Sequence, residues 1–187
     1  VIKRKNIVYI STGTKLVIAE KLIDTKTNET RNNVIDDRYA IFRADKLYIF
    51  AIIDKITLEP AKTCKDNTHH HIESYHYVYN VGEISKCNNY DTNINNLFSD
   101  GIRYYKSIEG GFYKDLNKSS LNNIFGLTKS WHANGLPNCF IEYVNGYKNG
   151  SYTEWYNNGN VKLICTYINN DIHGTLQRWS EDCKLLD

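Results

Sequence analysis

Gly126-Leu-Thr-Lys-Ser-Trp131, Gly150-Ser-Tyr-Thr-Glu-Trp155 and Gly174-Thr-Leu-Gln-Arg-Trp179 are three versions of one phrase, set 24 residues apart. Asn134-Gly135 follows the first, Asn158-Gly159 the second and Asp182-Cys183 the third, while Tyr143 and Tyr167 keep the same interval. A fixed period of roughly 20–50 residues is the signature of a repeat array. A second mark falls inside each period, at Asn145-Gly146 and at Asn169-Asn170. Asn-Gly between alternating segments signals a hairpin, because both residues accept positive φ. Each unit therefore reads as two antiparallel strands, one from the leading glycine to Trp, the other over 136–144 or 161–168.

Period-two alternation assigns the faces. Lys129 shares a face with Trp131, Thr153 with Trp155 and Gln177 with Trp179. In the second strands Cys139, Ile141 and Tyr143 match Leu163, Cys165 and Tyr167. A single hairpin is marginal in water, so the units should stack into an elongated sheet. Trp131, Trp155, Trp179, Tyr143, Tyr167 and Tyr156 are the rings expected to pack copy on copy and to form any docking surface. The units run near 126–149, 150–173 and 174–187. The third lacks its second strand, so that end frays, is covered by a partner or is capped by Lys184-Leu-Leu186.

The chain before the array is organised differently. Ile7-Val-Tyr-Ile10, Leu16-Val-Ile18 and Leu22-Ile23 cluster β-branched residues around Gly13 and read as a hairpin. Residues 25–33 are polar and read as an exposed loop, and Tyr39 to Phe42 as a short strand. Leu47-Tyr-Ile-Phe-Ala-Ile-Ile53 is the most apolar run and reads as a buried central strand closed off by Pro60. Residues 64–74 form a polar loop. Strands are expected at 75–81 and 101–105, with Asn-rich turns at 88–96. Ser107 can cap a short helix over 107–116, although Gly110 and Gly111 each weaken it by about 1 kcal/mol. Residues 117–123 read as a linker. The fold expected is mainly β: an α+β N-terminal domain with one short helix, 1–120, then an antiparallel β-hairpin repeat array, 121–187.

Global properties exclude more than they assign. The net charge is +2 over 187 residues, too small for a field that selects nucleic acid. No apolar run approaches the roughly 20 residues that span a bilayer, and the N-terminus lacks a secretory leader pattern. Five cysteines without paired spacing point away from a disulfide framework and toward a reducing compartment. His69-His70-His71 and His76 lack a Cys or acid at zinc-site spacing and read as loop histidines. Cys64 with Cys87 reads as two buried thiols rather than a redox pair. Asp36, Asp37, Glu109 and Asp115 have no catalytic constellation in the sequence. No catalytic, cofactor-binding or metal residue is expected, and no enzyme activity.

Two resemblances sharpen this. The Gly-x4-Trp, Asn-Gly, Tyr pattern over 126–187 resembles the MORN repeat family in its variant form. Over roughly 42–116 the chain is similar to an uncharacterised domain of giant-virus and some bacterial proteins. That likeness is carried by Lys46-Leu-Tyr-Ile-Phe50, Tyr79-Asn-Val-Gly-Glu-Ile84, Asp91, Gly101-Ile-Arg-Tyr-Tyr105 and Lys106-Ser-Ile-Glu109. The domain's usual Cys and His are replaced here by Phe98 and Arg103, so cysteine–histidine chemistry is not expected. With the Asn, Ile, Lys and Tyr bias of an A/T-rich coding sequence, the whole resembles giant-virus, mimivirus-like MORN proteins. The resemblance implies scaffolding or self-association and, in some members, contact with membrane lipid. The expectation is a non-enzymatic protein–protein interaction or structural module of the host cytoplasm or virion, bound to another protein or to itself through the repeat sheet. A peripheral anionic-lipid binder is the alternative, and an enzyme sited in the N-terminal domain the second alternative. The repeat lysines Lys129, Lys148, Lys162 and Lys184, with Arg178, are scattered among six acids over 126–187, which weighs against lipid phosphate capture.

Overall fold

The structure is a computed structural model and describes residues 6–66, 77–116 and 126–186. His69, His70, His71, His76 and the expected linker lie outside the described residues. The fold is mainly β, with one short helix among the described residues.

The N-terminal strands β1 (Ile7–Ser11) and β2 (Lys15–Glu20) form the expected hairpin, pairing Ile7 with Glu20 and Ser11 with Leu16. Leu22-Ile23 is not part of it: the chain has already turned, and the Ile23 side chain is fully exposed. β3 (Phe42–Ala44) pairs with β9 (Ile102–Tyr104). It begins three residues later than Tyr39, because 36–40 is a turn closed by the Ala40 amide on the Asp36 carbonyl at 3.0 Å. β4 (Lys46–Asp54) is central, flanked by β2 on one side and by β5 (Pro60–Ala61) and β8 (Ile84–Lys86) on the other. Pro60 opens that edge strand rather than merely ending β4, and an edge is where a residue without an N–H is tolerated.

β4 is not buried on both faces as expected. Leu47, Ile49 and Ile52 are buried while Phe50 is 50% exposed. Ala19 pairs with Ile49 and Ile18 with Ala51, so Phe50 is the extra residue of a bulge. That bulge resets the alternation and lets 47, 49 and 52 share the core side. The core gathers these with Val8, Ile10, Val17, Phe42, Tyr79 and Tyr104.

β6 (Thr63–Lys65) pairs with β7 (Val78–Asn80) inside what read as loop and long strand. Residues 25–33 are irregular, but not simply exposed: Asn28 and Arg31 are buried, and Asn28 Oδ1 accepts the Arg43 amide at 2.7 Å. Arg43, 0% exposed, spends its guanidinium on backbone carbonyls of Asp100 at 2.6 Å, Asn93 at 2.9 Å and Asp91 at 3.3 Å. A buried cation thus orders the Asn-rich 88–100 stretch from beneath.

Helix α1 (Ile108–Tyr113) is shorter than 107–116 but keeps its cap, with Ser107 Oγ accepting the Gly110 amide at 3.1 Å. A Cβ on Gly110 would sit 2.9 Å from the Tyr105 ring, and one on Gly111 2.8 Å from Tyr9 Cβ. The two glycines cost helix propensity and let the helix lie directly on β1.

The remaining strands, β10 (Gly126–Trp131), β11 (Pro137–Val144), β12 (Tyr147–Trp155), β13 (Val161–Ile168) and β14 (Asp171–Arg178), form one antiparallel sheet in sequence order. Neighbouring units are joined by full strand pairing, β11 to β12, so the hairpins form a continuous meander rather than a stack of separate pieces.

Candidate functional site

The candidate site named by the sequence is the face and edge of this sheet. Two kinds of turn build it. Asn145-Gly146 (φ 52° and 77°) and Asn169-Asn170 (φ 51° and 76°) are two-residue loops with both φ positive, the arrangement expected. The turns at the tryptophan end differ: they span five residues, 132–136 and 156–160. Only the fourth residue has positive φ, Gly135 at 93° and Gly159 at 90°. Asn134 and Asn158 instead use their side chains. Each Oδ1 accepts the amide two residues on, at 3.1 and 2.9 Å.

Their amide nitrogens reach into the next unit. Asn134 Nδ2 donates to the Asn157 carbonyl at 2.8 Å, and Asn158 Nδ2 to the Glu181 carbonyl at 3.1 Å. His132 Nε2 and the Tyr156 hydroxyl likewise donate to the carbonyls of Trp155 and Trp179, at 2.9 and 2.8 Å. The sequence period is therefore written in a second register of bonds, running from turn to turn outside the strand ladder. In the third unit Asp182 replaces Asn and has no N–H to give. Cys183 takes the glycine position at φ 63°. This unit does begin a second strand: Leu185 bridges to Trp179, and the Leu186 amide donates to the Arg178 carbonyl at 2.8 Å. The capped alternative is the one observed.

The rings divide between the two faces. Phe140 lies between two indoles, edge-on to Trp131 at 6.2 Å and to Trp155 at 4.9 Å. The cross-strand row Lys129, Phe140, Thr153, Ile164, Gln177 shares this face. On the other face Tyr152 meets Tyr167 edge-on at 5.6 Å, above the buried Ile141 and Cys165. Tyr143 lies at that face's N-terminal end, in a groove of about 220 Å³ beside the end of α1. Burial holds the thiols of Cys139 and Cys165 above their usual range, and all five cysteines are free. The rings are half-buried, since a single sheet has no second layer; Leu127, Val144, Ile164, Ile168 and Ile172 are exposed.

The first unit is held by the N-terminal domain, which no periodic signal announced. Tyr39 stacks on Trp131 with centroids 4.4 Å apart and planes 3° from parallel. Its hydroxyl donates to Glu109 at 2.9 Å, and Glu109 pairs with Lys129 at 3.1 Å. The Asn134 carbonyl accepts the amides of Ile35 and Asp36 at 2.9 and 3.1 Å. Arg31 donates to the Ala133 carbonyl. Ala133, Asn157 and Glu181 are equivalent by the 24-residue period, so Arg31 stands where a preceding unit would place its asparagine.

The repeat lysines are engaged. Lys129 pairs with Glu109, Lys162 with Glu154 at 2.6 Å and Lys184 with Asp182 at 2.9 Å. Lys148 lies over the Tyr167 ring at 4.8 Å. Among the described residues, no three His, Cys, Asp or Glu side chains converge as metal ligands, and no helix is long and apolar enough to cross a membrane. Compared with protein-family models, with characterised proteins and with solved structures, the chain shows no match.

Proposed function

We propose that the chain is a non-enzymatic interaction module in which the N-terminal domain anchors a MORN-like hairpin sheet and the sheet engages another protein chain by strand addition at β14. The observation that carries this reading is the position of β14 at the end of the sheet order. Among the described residues only Leu185 and Leu186 begin to cover its outer side. An uncovered edge offers a row of unpaired N–H and C=O groups to a new strand. The exposed Ile172 on that strand adds apolar surface. A role as a scaffold in the virion or host cytoplasm of a giant virus belongs to this proposal and rests on the repeat resemblance. The lipid reading has less support, because its lysines are occupied by acids and rings.

The test is light scattering over a wide concentration range, together with photo-cross-linking from Thr175 in infected-cell extract. Strand addition predicts a dimer or a defined cross-linked protein, lost in Thr175→Pro, which removes a donor and distorts the edge. A monomer at all concentrations with no cross-linked product sinks the reading. Sedimentation with anionic vesicles, reversed by salt, would replace it with the lipid alternative.

A further inference from the structure

Besides the buried Arg31 and Arg43, Lys55 and Arg103 of the N-terminal domain have no direct carboxylate partner among the described residues. Lys55 is 4% exposed. Its Nζ donates to two neutral oxygens, the Ser11 hydroxyl and the Lys114 carbonyl, each at 2.7 Å. An ammonium has three donors, so one is uncommitted. Burial pulls the Lys55 pKa down to about 8, and Asp115 attracts the charge without contacting it. That carboxylate is taken by Lys114 at 3.1 Å. Arg103 is the second cation. Its guanidinium lies over the Phe98 ring at 5.7 Å and makes a long hydrogen bond, 3.4 Å, to the Phe98 carbonyl, and its Nε is buried without a partner among the described residues.

Arg103 lines a cavity that Lys55 approaches from behind. A space of about 110 Å³ is lined by Ser11, Arg103, Tyr105, Lys114 and Asp115 among others, with Lys55 hydrogen-bonded to Ser11 behind the wall. Burial raises the Tyr105 pKa, so the phenol stays protonated and a donor, with Asp115 and Arg103 close enough to act on it. That hydroxyl makes no hydrogen bond to the described residues. Arg103, Lys114 and the Tyr105 hydroxyl thus line the space against the one carboxylate of Asp115, with the Lys55 charge behind Ser11.

We propose that this cavity binds a small oxyanion, namely a phosphoryl group, with Arg103 and the Tyr105 hydroxyl facing it and Lys55 supplying charge from behind. The volume exceeds the roughly 30 Å³ share of a single water and falls short of the roughly 300 Å³ at which pockets enclose whole metabolites. A single phosphate-sized group therefore fits, either the free ion or the end of a monoester whose remainder stays outside. Arginine and lysine together with a phenol donor suit such a group; the Ser11 proton is already given to the Lys114 carbonyl. Ser11 and Lys55 also tie down the Lys114 carbonyl at the end of α1, a strut that would need neither Arg103 nor Tyr105. Those two residues therefore separate binding from support.

The test is titration calorimetry and thermal unfolding of the full chain with inorganic phosphate and with phenyl phosphate, against sodium chloride at matched ionic strength. Phosphate should raise the unfolding midpoint in a saturable way. Arg103→Gln should weaken binding about tenfold or more, as loss of a charged donor does. Asp115→Asn should tighten it severalfold by removing the opposing charge. Asparagine tolerates the positive φ of 58° at that position, so this variant should fold even if Arg103→Gln does not. Binding of phosphate alone identifies the free ion, and binding of both identifies a monoester end. No effect of either compound beyond chloride overturns the proposal. So does phosphate binding that is unchanged in Asp115→Asn.

Discussion

The Tyr39 ring lies parallel to the Trp131 indole, 4.4 Å away and tilted by 3°. One ring belongs to the N-terminal domain and the other to the first repeat. With the Tyr39 hydroxyl on Glu109 and Glu109 on Lys129, this stack makes the docking specific. Aromatic pairs contribute about 0.5–1.5 kcal/mol beyond their buried area. Tyr39→Ala should therefore lower unfolding free energy by about 2–3 kcal/mol once lost burial is included. Tyr39→Phe, which keeps the stack, should cost only about 1 kcal/mol. Denaturant titration of the three proteins checks the ranking; equal losses would show that the hydroxyl, not the stack, holds the junction.

Gly135 and Gly174 both have positive φ, 93° and 81°, yet they differ in surroundings. A Cβ at Gly135 would fall 1.9 Å from the Asp36 carbonyl oxygen, whereas one at Gly174 meets nothing within 4 Å. Gly174→Ala should cost about 1–2 kcal/mol, the conformational term alone. Gly135→Ala must also push the repeat off the N-terminal domain and should cost at least about 4 kcal/mol. Thermal midpoints of the two variants give the comparison.

Cys183 occupies at φ 63° the position that Gly135 and Gly159 fill in the earlier turns. Cys183→Gly should stabilise the third turn by about 1 kcal/mol, the usual relief of a left-handed non-glycine residue. Amide exchange at the Cys183 N–H, which donates to the Ser180 carbonyl at 3.0 Å, should slow correspondingly.

Lys55 gives a pH dependence of unusual sign. Its pKa is 10.5 unfolded and about 8 in the fold. Between those values the unfolded chain holds more protons, so the Lys55 contribution to stability rises as pH increases from about 8 to 10.5. Below pH 8 burial of the charged form costs a few kcal/mol, of order 1.4 kcal/mol per pH unit of displacement. The difference in unfolding free energy between the wild type and Lys55→Met, measured across that range without phosphate, should shift in favour of the wild type at high pH.

Much of the array was legible because it is local and periodic. The 24-residue interval, the two-residue turns and the shared face of Lys129 and Trp131 follow from short-range rules of alternation and turn chemistry. The N-terminal domain was legible as a set of strands, less so as burial. Phe50 looked like core because nothing in an apolar run shows where a bulge will reset the alternation. Arg43 and Lys55 gave no signal, since a buried cation is recognised only by the carbonyls and hydroxyls that surround it. Arg31 and Tyr39 were silent for a related reason: each completes a pattern belonging to a distant part of the chain.

The turn-to-turn amides all point one way, from an earlier unit to a later one, starting with Arg31 and ending on Glu181. Array length then becomes an engineering variable with a defined grammar. Removing residues 135–158 puts Asn134 in the place of Asn158, so a donor still faces the Glu181 carbonyl at the splice. Lengthening is different, because a unit grafted behind Asp182 meets a carboxylate where it requires an amide. Asp182→Asn is the change that should make the protein extensible.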